Sequence, residues 1–160
     1  MVVLACHRGA SALAPENTLA AFRVAMEYGI DYSELDVHLD RAGNLVVTHD
    51  APDDTDRELP RLEDVFALVR DRMGIYVELK GDGTALAVAD LLTQWQSFSP
   101  LIVGSFRLEL VEQFRRAAPQ VPTSILFASD WDVARMSSKC QELGVQYAHP
   151  CFRPIGASRR

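Results

Sequence analysis

Seven ionisable side chains in the first half of the chain lie in, or next to, four short apolar segments. They are His7, Arg8, Glu34, Asp36, His49, Glu78 and Lys80. In a parallel α/β fold the carboxyl ends of the strands lie together at one face, and sites form there. We therefore expect these side chains to converge on a single site.

The three carboxylates among them point to a metal ion. Side chains two positions apart on a strand face the same way, so Glu34 and Asp36 face together, as do Glu78 and Lys80. Bringing three anions into a partly buried pocket costs several kcal/mol unless a cation is present. Oxygen ligands favour a hard ion over zinc, and the sequence leaves both Ca²⁺ and Mg²⁺ open.

The other four side chains suit a phosphate ester. Arg8 offers a planar guanidinium and Lys80 an ammonium, and both groups bind phosphate oxygens beside a metal ion. His7 and His49 come from different segments, so one can accept a proton from the nucleophile while the other gives one to the leaving alcohol. Each such role is commonly worth roughly 10²- to 10⁴-fold in rate. Together these residues predict phosphodiester hydrolysis.

Each residue also has a structural interpretation when it is taken alone. A single histidine at a strand end most often makes a structural hydrogen bond, and Glu-x-Asp on a strand is usually a solvated face. The joint occurrence at successive strand ends favours a site, because solvated faces have no reason to coincide there. We interpret His38 as a core or pocket-lining residue that shares the side of Asp36.

The elements that must position these residues alternate along the chain. Short apolar runs predict seven strands, over 2–6, 35–39, 45–48, 75–79, 101–103, 124–127 and 145–148. Helical spacing separates most of them, most clearly over 19–26, 62–69 and 133–143. This alternation predicts a parallel sheet covered by helices, either wound into a barrel or left open.

Residues that end helices and form turns agree with this order. Asn17 is predicted to cap the first helix, and Gly29 and Gly144 stand where helices end in a left-handed residue. The segment 40–44 is predicted to be a turn and not a helix.

Composition limits the kinds of protein that fit. The 160 residues are 48% hydrophobic and 24% charged, which is typical of one globular domain, here 1–160. The net charge of −6 disfavours nucleic acid as a partner. No apolar run approaches the ~20 residues of a membrane span, and the apolar start, 1–6, is too short for a signal peptide. Three cysteines without CxxC spacing predict neither disulfides nor zinc and favour a cytoplasmic location.

The motifs, in their order and spacing, resemble the glycerophosphodiester phosphodiesterase family over about the first half of the chain. They are His7-Arg8-Gly9-Ala10, the segment from Pro15 to Phe22, Glu34 to Leu39 with Gly43, Val46 to Asp50, Pro60 to Val65, and Val77 to Lys80. Gly104-Ser105-Phe106 also looks like the Ser-Phe that follows the fifth strand in that family.

This resemblance implies a TIM-type (β/α) barrel and a set of roles. Glu34, Asp36 and Glu78 would bind Ca²⁺ or Mg²⁺, and His7 and His49 would be the acid and base. Arg8 and Lys80 would hold the phosphate. The family cuts glycerophospho-alcohols, such as glycerophosphocholine, to glycerol 3-phosphate and the free alcohol. Relatives that act as lysophospholipase D use a similar site on bulkier lipids.

Two departures from the family pattern leave alternatives open. Glu78 follows His49 by only 29 positions, where many members carry an insertion that helps wall the pocket. We find no eighth strand, so we expect an incomplete barrel, truncated at its C-terminal end, with open sheet edges that can pair two copies. The alternatives are a catalytically impaired relative that binds metal and phosphate esters, a lysophospholipase D-like enzyme that acts on bulkier lipids, and an open doubly wound sheet that binds an acidic or phosphorylated ligand.

Overall fold

Strands and helices alternate along residues 2–53, 59–95 and 100–150, which a computed structural model describes. The strands are β1 (Ala5–Cys6), β2 (Tyr32–Leu39), β3 (Leu45–Val47), β4 (Gly74–Leu79), β5 (Leu101–Ser105), β6 (Thr123–Phe127) and β7 (Tyr147–Pro150). The helices are α1 (Leu19–Glu27), α2 (Leu62–Val69), α3 (Thr84–Gln94), α4 (Leu108–Ala117) and α5 (Val133–Leu143). The seven predicted strands are confirmed, with shifted ends.

The parallel strands follow one another across the sheet in chain order, β1-β2-β4-β5-β6-β7. A doubly wound sheet reverses its strand order part-way, so this alternative is wrong. Right-handed crossovers between successive neighbours leave the helices on one face, and the sheet curls around the other face as in a TIM-type barrel. Within the described residues β1 and β7 each pair on one side only, so the barrel is incomplete there.

The third strand departs from the predicted parallel arrangement. β3 pairs with β2 antiparallel, because the predicted turn over 40–44 joins the two strands directly. In that turn the Asp40 carboxylate accepts a hydrogen bond from the backbone N–H of Asn44 at 2.7 Å. A parallel pair would need a crossover of about a dozen residues or more. The expectation that His49 follows the end of a parallel strand is therefore wrong, since β3 runs back along β2.

The helices bury apolar stripes against the outer face of the sheet. In α2 the buried residues are those whose spacing predicted the helix, Leu62, Val65, Phe66 and Val69. A smaller cluster around Ile125 and Phe127 packs with residues of α4 and α5. Each such buried side chain contributes roughly 1.5 to 3 kcal/mol. This apolar layer supports the inner face, where the charged residues lie.

The ends of the helices test the predicted caps. Thr18 caps α1, its Oγ1 accepting the backbone N–H of Ala21 at 3.2 Å, so the prediction that Asn17 is the cap is wrong. Gly29 and Gly144 have φ of +67° and +62°, which confirms the left-handed residues predicted after α1 and α5. No helix in the described ranges combines the length and apolar character needed to cross a bilayer.

Candidate active site

Three carboxylates from β2 and β4 meet at one place. The parallel register sets Asp36 beside Glu78, and Glu34 lies two residues earlier on β2. One oxygen of each carboxylate lies within 4.8 Å of the other two. Asp36 and Glu78 are buried, whereas 15% of the Glu34 side chain is exposed. The structure thus brings together the predicted ligands, and their role toward a metal stays a prediction.

Two cations bind these carboxylates. The Nζ of Lys80 lies 3.1 Å from Asp36 Oδ1 and 2.8 Å from Glu78 Oε1. The Nε of Arg8 lies 3.0 Å from Asp36 Oδ2. The backbone N–H of Arg8 also donates to Glu34 Oε2 at 3.0 Å. Both residues that were predicted to hold phosphate therefore lie at the cluster, and contact with phosphate stays a prediction.

Burial changes the protonation of the cluster. Burial, and then the charge of Asp36, raise the pKa of Glu34 to about 8. Burial also raises the pKa of Glu78. Burial lowers the pKa of Lys80, but the hydrogen bond to Glu78 and the carboxylate charges outweigh it, so this pKa is raised. The cluster therefore keeps all of its negative charge only at a cost in free energy.

The donor set fits a divalent cation. Glu34 Oε1 is buried and accepts no hydrogen bond from any residue in the described ranges. Three carboxylate oxygens at this spacing are the ligands that Ca²⁺ and Mg²⁺ prefer. An ion there would favour ionised Glu34 and give its buried oxygen a partner. The cluster is therefore a group that could bind such an ion.

The two predicted acid and base histidines are both partly exposed. His7 Nε2 is 3.8 Å from Glu34 Oε2, and 67% of the His7 side chain is exposed. Partial burial and the charge of Arg8 lower the pKa of His7. His49 Nδ1 lies 2.8 Å from Asp50 Oδ1. In neutral His49 this carboxylate selects the tautomer that donates from Nδ1 and leaves a lone pair on Nε2.

His38 contacts the backbone near His49. Its Nε2 donates to the His49 carbonyl at 3.1 Å, since a carbonyl can only accept. Next to it, the backbone N–H of Thr48 donates to the Asp36 carbonyl at 3.1 Å. These bonds hold the segment after β3 against β2, which brings His49 to the strand that carries two of the carboxylates.

The turn after β1 carries His7 and Arg8, and its backbone is strained at Arg8. Arg8 has a φ of +54° and Gly9 a φ of +75°. A Cβ at Gly9 would lie 2.6 Å from the Cβ of Ala21 in α1, so only glycine fits. The Gly9 N–H donates to Ser33 Oγ at 3.1 Å and ties the turn to β2.

The sequence interpretation missed a buried asparagine at the site. Asn17 Nδ2 donates to Asp36 Oδ2 at 2.9 Å. The signal was present in the sequence, because Asn17 and Thr18 can both cap a helix and only one of them is needed for that purpose.

An apolar cavity of about 530 Å³ adjoins the cluster on the inner face of the sheet, and Glu34 forms part of its wall. Its apolar and aromatic lining includes Val3, Tyr32, Ile102, Leu126 and Tyr147. Tyr76 and His149 also line it, and both contact Ser124 Oγ, at 2.5 and 3.1 Å. The cavity can therefore accept an apolar group next to the carboxylates.

Comparison with known proteins finds similarity to one family. The model of the Glycerophosphoryl diester phosphodiesterase family matches residues 7–73. YhdW of Bacillus subtilis is 33% identical to this chain over 75% of its length. A glycerophosphodiester phosphodiesterase of Caldanaerobacter subterraneus is 27% identical over 76%. This chain is similar in sequence to glycerophosphodiester phosphodiesterases. It spans 63% of YhdW and 65% of the Caldanaerobacter protein, just under two thirds of their length.

Solved phosphodiesterases share the fold. The crystal structure of the Thermotoga maritima protein has a TM-score of 0.78 and 27% identity, covering 94% of this chain and 74% of that one. An Oleispira antarctica phosphodiesterase, solved in complex with the product sn-glycerol-3-phosphate, has a TM-score of 0.80 and 20% identity, covering 94% and 75%. The TIM-type architecture of the described residues is therefore that of the family.

Proposed function

We propose that this protein is a metal-dependent glycerophosphodiester phosphodiesterase that releases glycerol 3-phosphate and an alcohol. The observation that carries the proposal is the close cluster of Glu34, Asp36 and Glu78, with the partly exposed His7 next to Glu34. Similarity to the family supports it, as does the product bound to the Oleispira relative. The cytoplasmic location stays a prediction that rests on the cysteine content.

In this proposal Glu34, Asp36 and Glu78 hold Ca²⁺ or Mg²⁺, which when bound polarises the phosphate ester. Arg8 and Lys80 bind phosphate oxygens and keep the phosphate beside the carboxylates. The bond from phosphorus to the alcohol oxygen breaks as the attacking oxygen bonds to phosphorus. The attacking oxygen is that of water, so the products are glycerol 3-phosphate and the free alcohol. One of His7 and His49 accepts a proton from this water, and the other gives a proton to the leaving alcohol.

Release of glycerol 3-phosphate from glycerophosphocholine tests this function. We expect release with Ca²⁺ or Mg²⁺, its loss in EDTA, and its return when the ion is added back. Glu78→Gln, which keeps the shape and removes the charge, is expected to lower the rate at least ~100-fold, because one ligand of a shared charge site is lost. Glu112→Gln is the control, since Glu112 pairs with Arg116 on α4.

Metal-insensitive release, or no release from glycerophosphocholine, glycerophosphoethanolamine or glycerophosphoinositol, would contradict the proposal. Binding of the ion without any turnover would instead favour the catalytically impaired relative.

The apolar cavity favours a second candidate substrate class, the lysophospholipids. Its wall includes Glu34, so a substrate whose phosphate lies at the cluster can extend an acyl chain into about 530 Å³ of apolar space. Leu126→Gln is expected to lower kcat/KM for a lysophosphatidylcholine at least ~10-fold, since a polar amide loses apolar burial there. Activity on glycerophosphocholine is expected to stay within ~3-fold of the wild-type value, because this substrate has no acyl chain to bury in the cavity. Equal losses on both substrates would rule this candidate out, and Leu86→Gln on α3 is the exposed control.

A further inference from the structure

One buried asparagine binds Asp36 with both ends of its amide. Asn17 Nδ2 donates to Asp36 Oδ2 at 2.9 Å, and Asn17 Oδ1 accepts the backbone N–H of Asp36 at 3.4 Å. Asn17 is 4% exposed and Asp36 is fully buried. A flipped amide would set oxygen against the carboxylate and NH₂ against the N–H. The contacts therefore allow only one orientation of this side chain.

The backbone of Asn17 is held as firmly as its side chain. Its N–H donates to the Arg8 carbonyl at 3.0 Å, and its φ is +56°. Left-handed backbone costs most residues about 1 to 2 kcal/mol, and asparagine is one of the few that visit it readily. Thr18, the next residue, caps α1. Asn17 is therefore anchored between the turn after β1 and the first helix.

The other side-chain partners of Asp36 differ from Asn17 in charge and flexibility. They are the ends of two long cationic side chains, Arg8 and Lys80. Both neutralise part of the carboxylate charge, and both have several rotatable bonds. Asn17 is short and neutral, so it can orient Asp36 without reducing the charge that attracts a cation.

We propose that Asn17 is a positioning residue, which holds the Asp36 carboxylate in the orientation that lets three carboxylates bind one divalent ion. This inference rests on the metal site of the proposed function. Asn17 acts through Asp36 and contacts neither the substrate nor the reacting atoms. Partners of this kind, which bind a metal ligand, commonly change metal affinity ~10- to 100-fold when they are removed.

Replacement by glycine separates the side chain from the backbone. Asn17→Gly keeps the N–H to Arg8 and tolerates the positive φ, so only the amide contacts to Asp36 are lost. Asn17→Asp is the second variant, because it keeps the shape and replaces the donor facing Asp36 with an oxygen. Asn44→Gly is the matched control, since Asn44 Nδ2 makes a similar bond to Asp40 Oδ2, at 2.7 Å, in the 40–44 turn.

Calorimetric titration of each metal-free protein with CaCl₂ and MgCl₂ gives the deciding readout, alongside thermal melting. We expect Asn17→Gly and Asn17→Asp to weaken metal binding ~10- to 100-fold, and Asn44→Gly to leave it within ~3-fold. At saturating ion we expect the hydrolysis rate of Asn17→Gly to recover to within ~10-fold of the wild-type rate, which separates positioning from a catalytic role.

The inference is overturned if an Asn17 variant that folds binds the ion with wild-type affinity and differs only in a lower melting temperature. It is also overturned if such a variant binds the ion normally but has lost turnover. A wild-type chain that binds the ion without hydrolysing any glycerophosphodiester overturns the proposed function alone. A wild-type chain that binds neither ion overturns the metal site and this inference with it.

Discussion

At the scale of single residues, the site sets three carboxylates against two cations. Lys80 and Arg8 bind Asp36 and Glu78, while Glu34 has a buried oxygen that accepts no hydrogen bond within the described part of the chain. The charge is therefore unbalanced, and burial, followed by the charge of Asp36, raises the pKa of Glu34. Removing a carboxylate and removing a histidine should then have different effects.

Alanine substitutions separate the predicted ligands from the predicted acid and base. Glu34→Ala, Asp36→Ala and Glu78→Ala should each abolish metal binding and hydrolysis together, because all three oxygens share one ion. His49→Ala should keep the metal and lower kcat ~10²- to 10⁴-fold. Calorimetry and kcat at saturating ion measure both effects, with His38→Ala as the mildest variant. Loss of the metal by His49→Ala with a retained rate would contradict these roles.

The stability of the metal-free protein should fall as the pH rises. The pKa of Glu34 is about 8 in the folded protein against an ordinary value of 4.5. A carboxyl whose pKa is raised by folding contributes stability below its unfolded pKa, and that contribution is lost as the pH rises through the folded pKa. We therefore expect the free energy of unfolding in EDTA to decrease between about pH 5 and 8.

Urea unfolding in EDTA across this range checks the expectation. Glu34→Gln should flatten the decrease, because its amide does not titrate, and Glu112→Gln should leave it unchanged. Parallel curves for wild type and Glu34→Gln would show that Glu34 does not cause the dependence.

At the scale of elements, β2 organises the site. It pairs with β1, β3 and β4, and it carries Glu34, Asp36 and His38. The turn after β1 is bound to it through Ser33 and Glu34. The neighbours of β2 therefore place their charged residues next to this strand. The geometry of the site depends on how closely these elements approach β2.

Substitutions at two glycines can distinguish the cost of a steric clash from the cost of backbone strain. Gly9 and Gly29 both have positive φ, and a Cβ at Gly9 would meet Ala21 while one at Gly29 meets nothing within 4 Å. Gly29→Ala should cost about 1 to 2 kcal/mol from strain alone. Gly9→Ala should cost roughly 1 to 3 kcal/mol more from overpacking, and should displace His7 and Arg8. Chemical denaturation measures both, and equal costs would disprove the steric argument.

At the scale of the whole molecule, the described sheet has two edges. β1 and β7 each pair on one side, and every residue of β7 is exposed, as are Val2, Val3 and Leu4 before β1. Strand edges with unpaired backbone groups and apolar side chains favour pairing with another chain. The proposed homo-oligomer would use these edges.

The 160-residue chain should therefore self-associate at low micromolar concentration. Val3→Lys should reduce association, since a charged edge residue opposes strand pairing. Leu86→Lys is the matched control, because Val3 and Leu86 are both 57% exposed and Leu86 lies on α3. Sedimentation with thermal melting decides the matter. A sharply melting monomer with a Tm above ~60 °C would contradict the prediction.

The sequence by itself determined the strands, the apolar face of α2, and the placement of Glu34 and Asp36 on one side of a strand. These features depend on local geometry, because side chains two apart on a strand share a face and apolar residues three and four apart share a helix face. Glu34 and Asp36 could be grouped for this reason, and Glu78 joined them because the carboxyl ends of parallel strands lie at one face. Family motifs in a fixed order then related the residues to a known chemistry.

Only the tertiary structure decided how distant segments meet. The direction of β3 follows from which strand it pairs with, and that choice brings His49 back along β2. Asn17 could be assigned to a cap from its neighbours, whereas its bond to Asp36 joins residues 19 positions apart. The binding of Arg8 and Lys80 to Asp36 is likewise set by burial, which makes an unpaired charge more costly than it is in water. Such contacts depend on the approach of separate elements, which spacing along one segment does not encode.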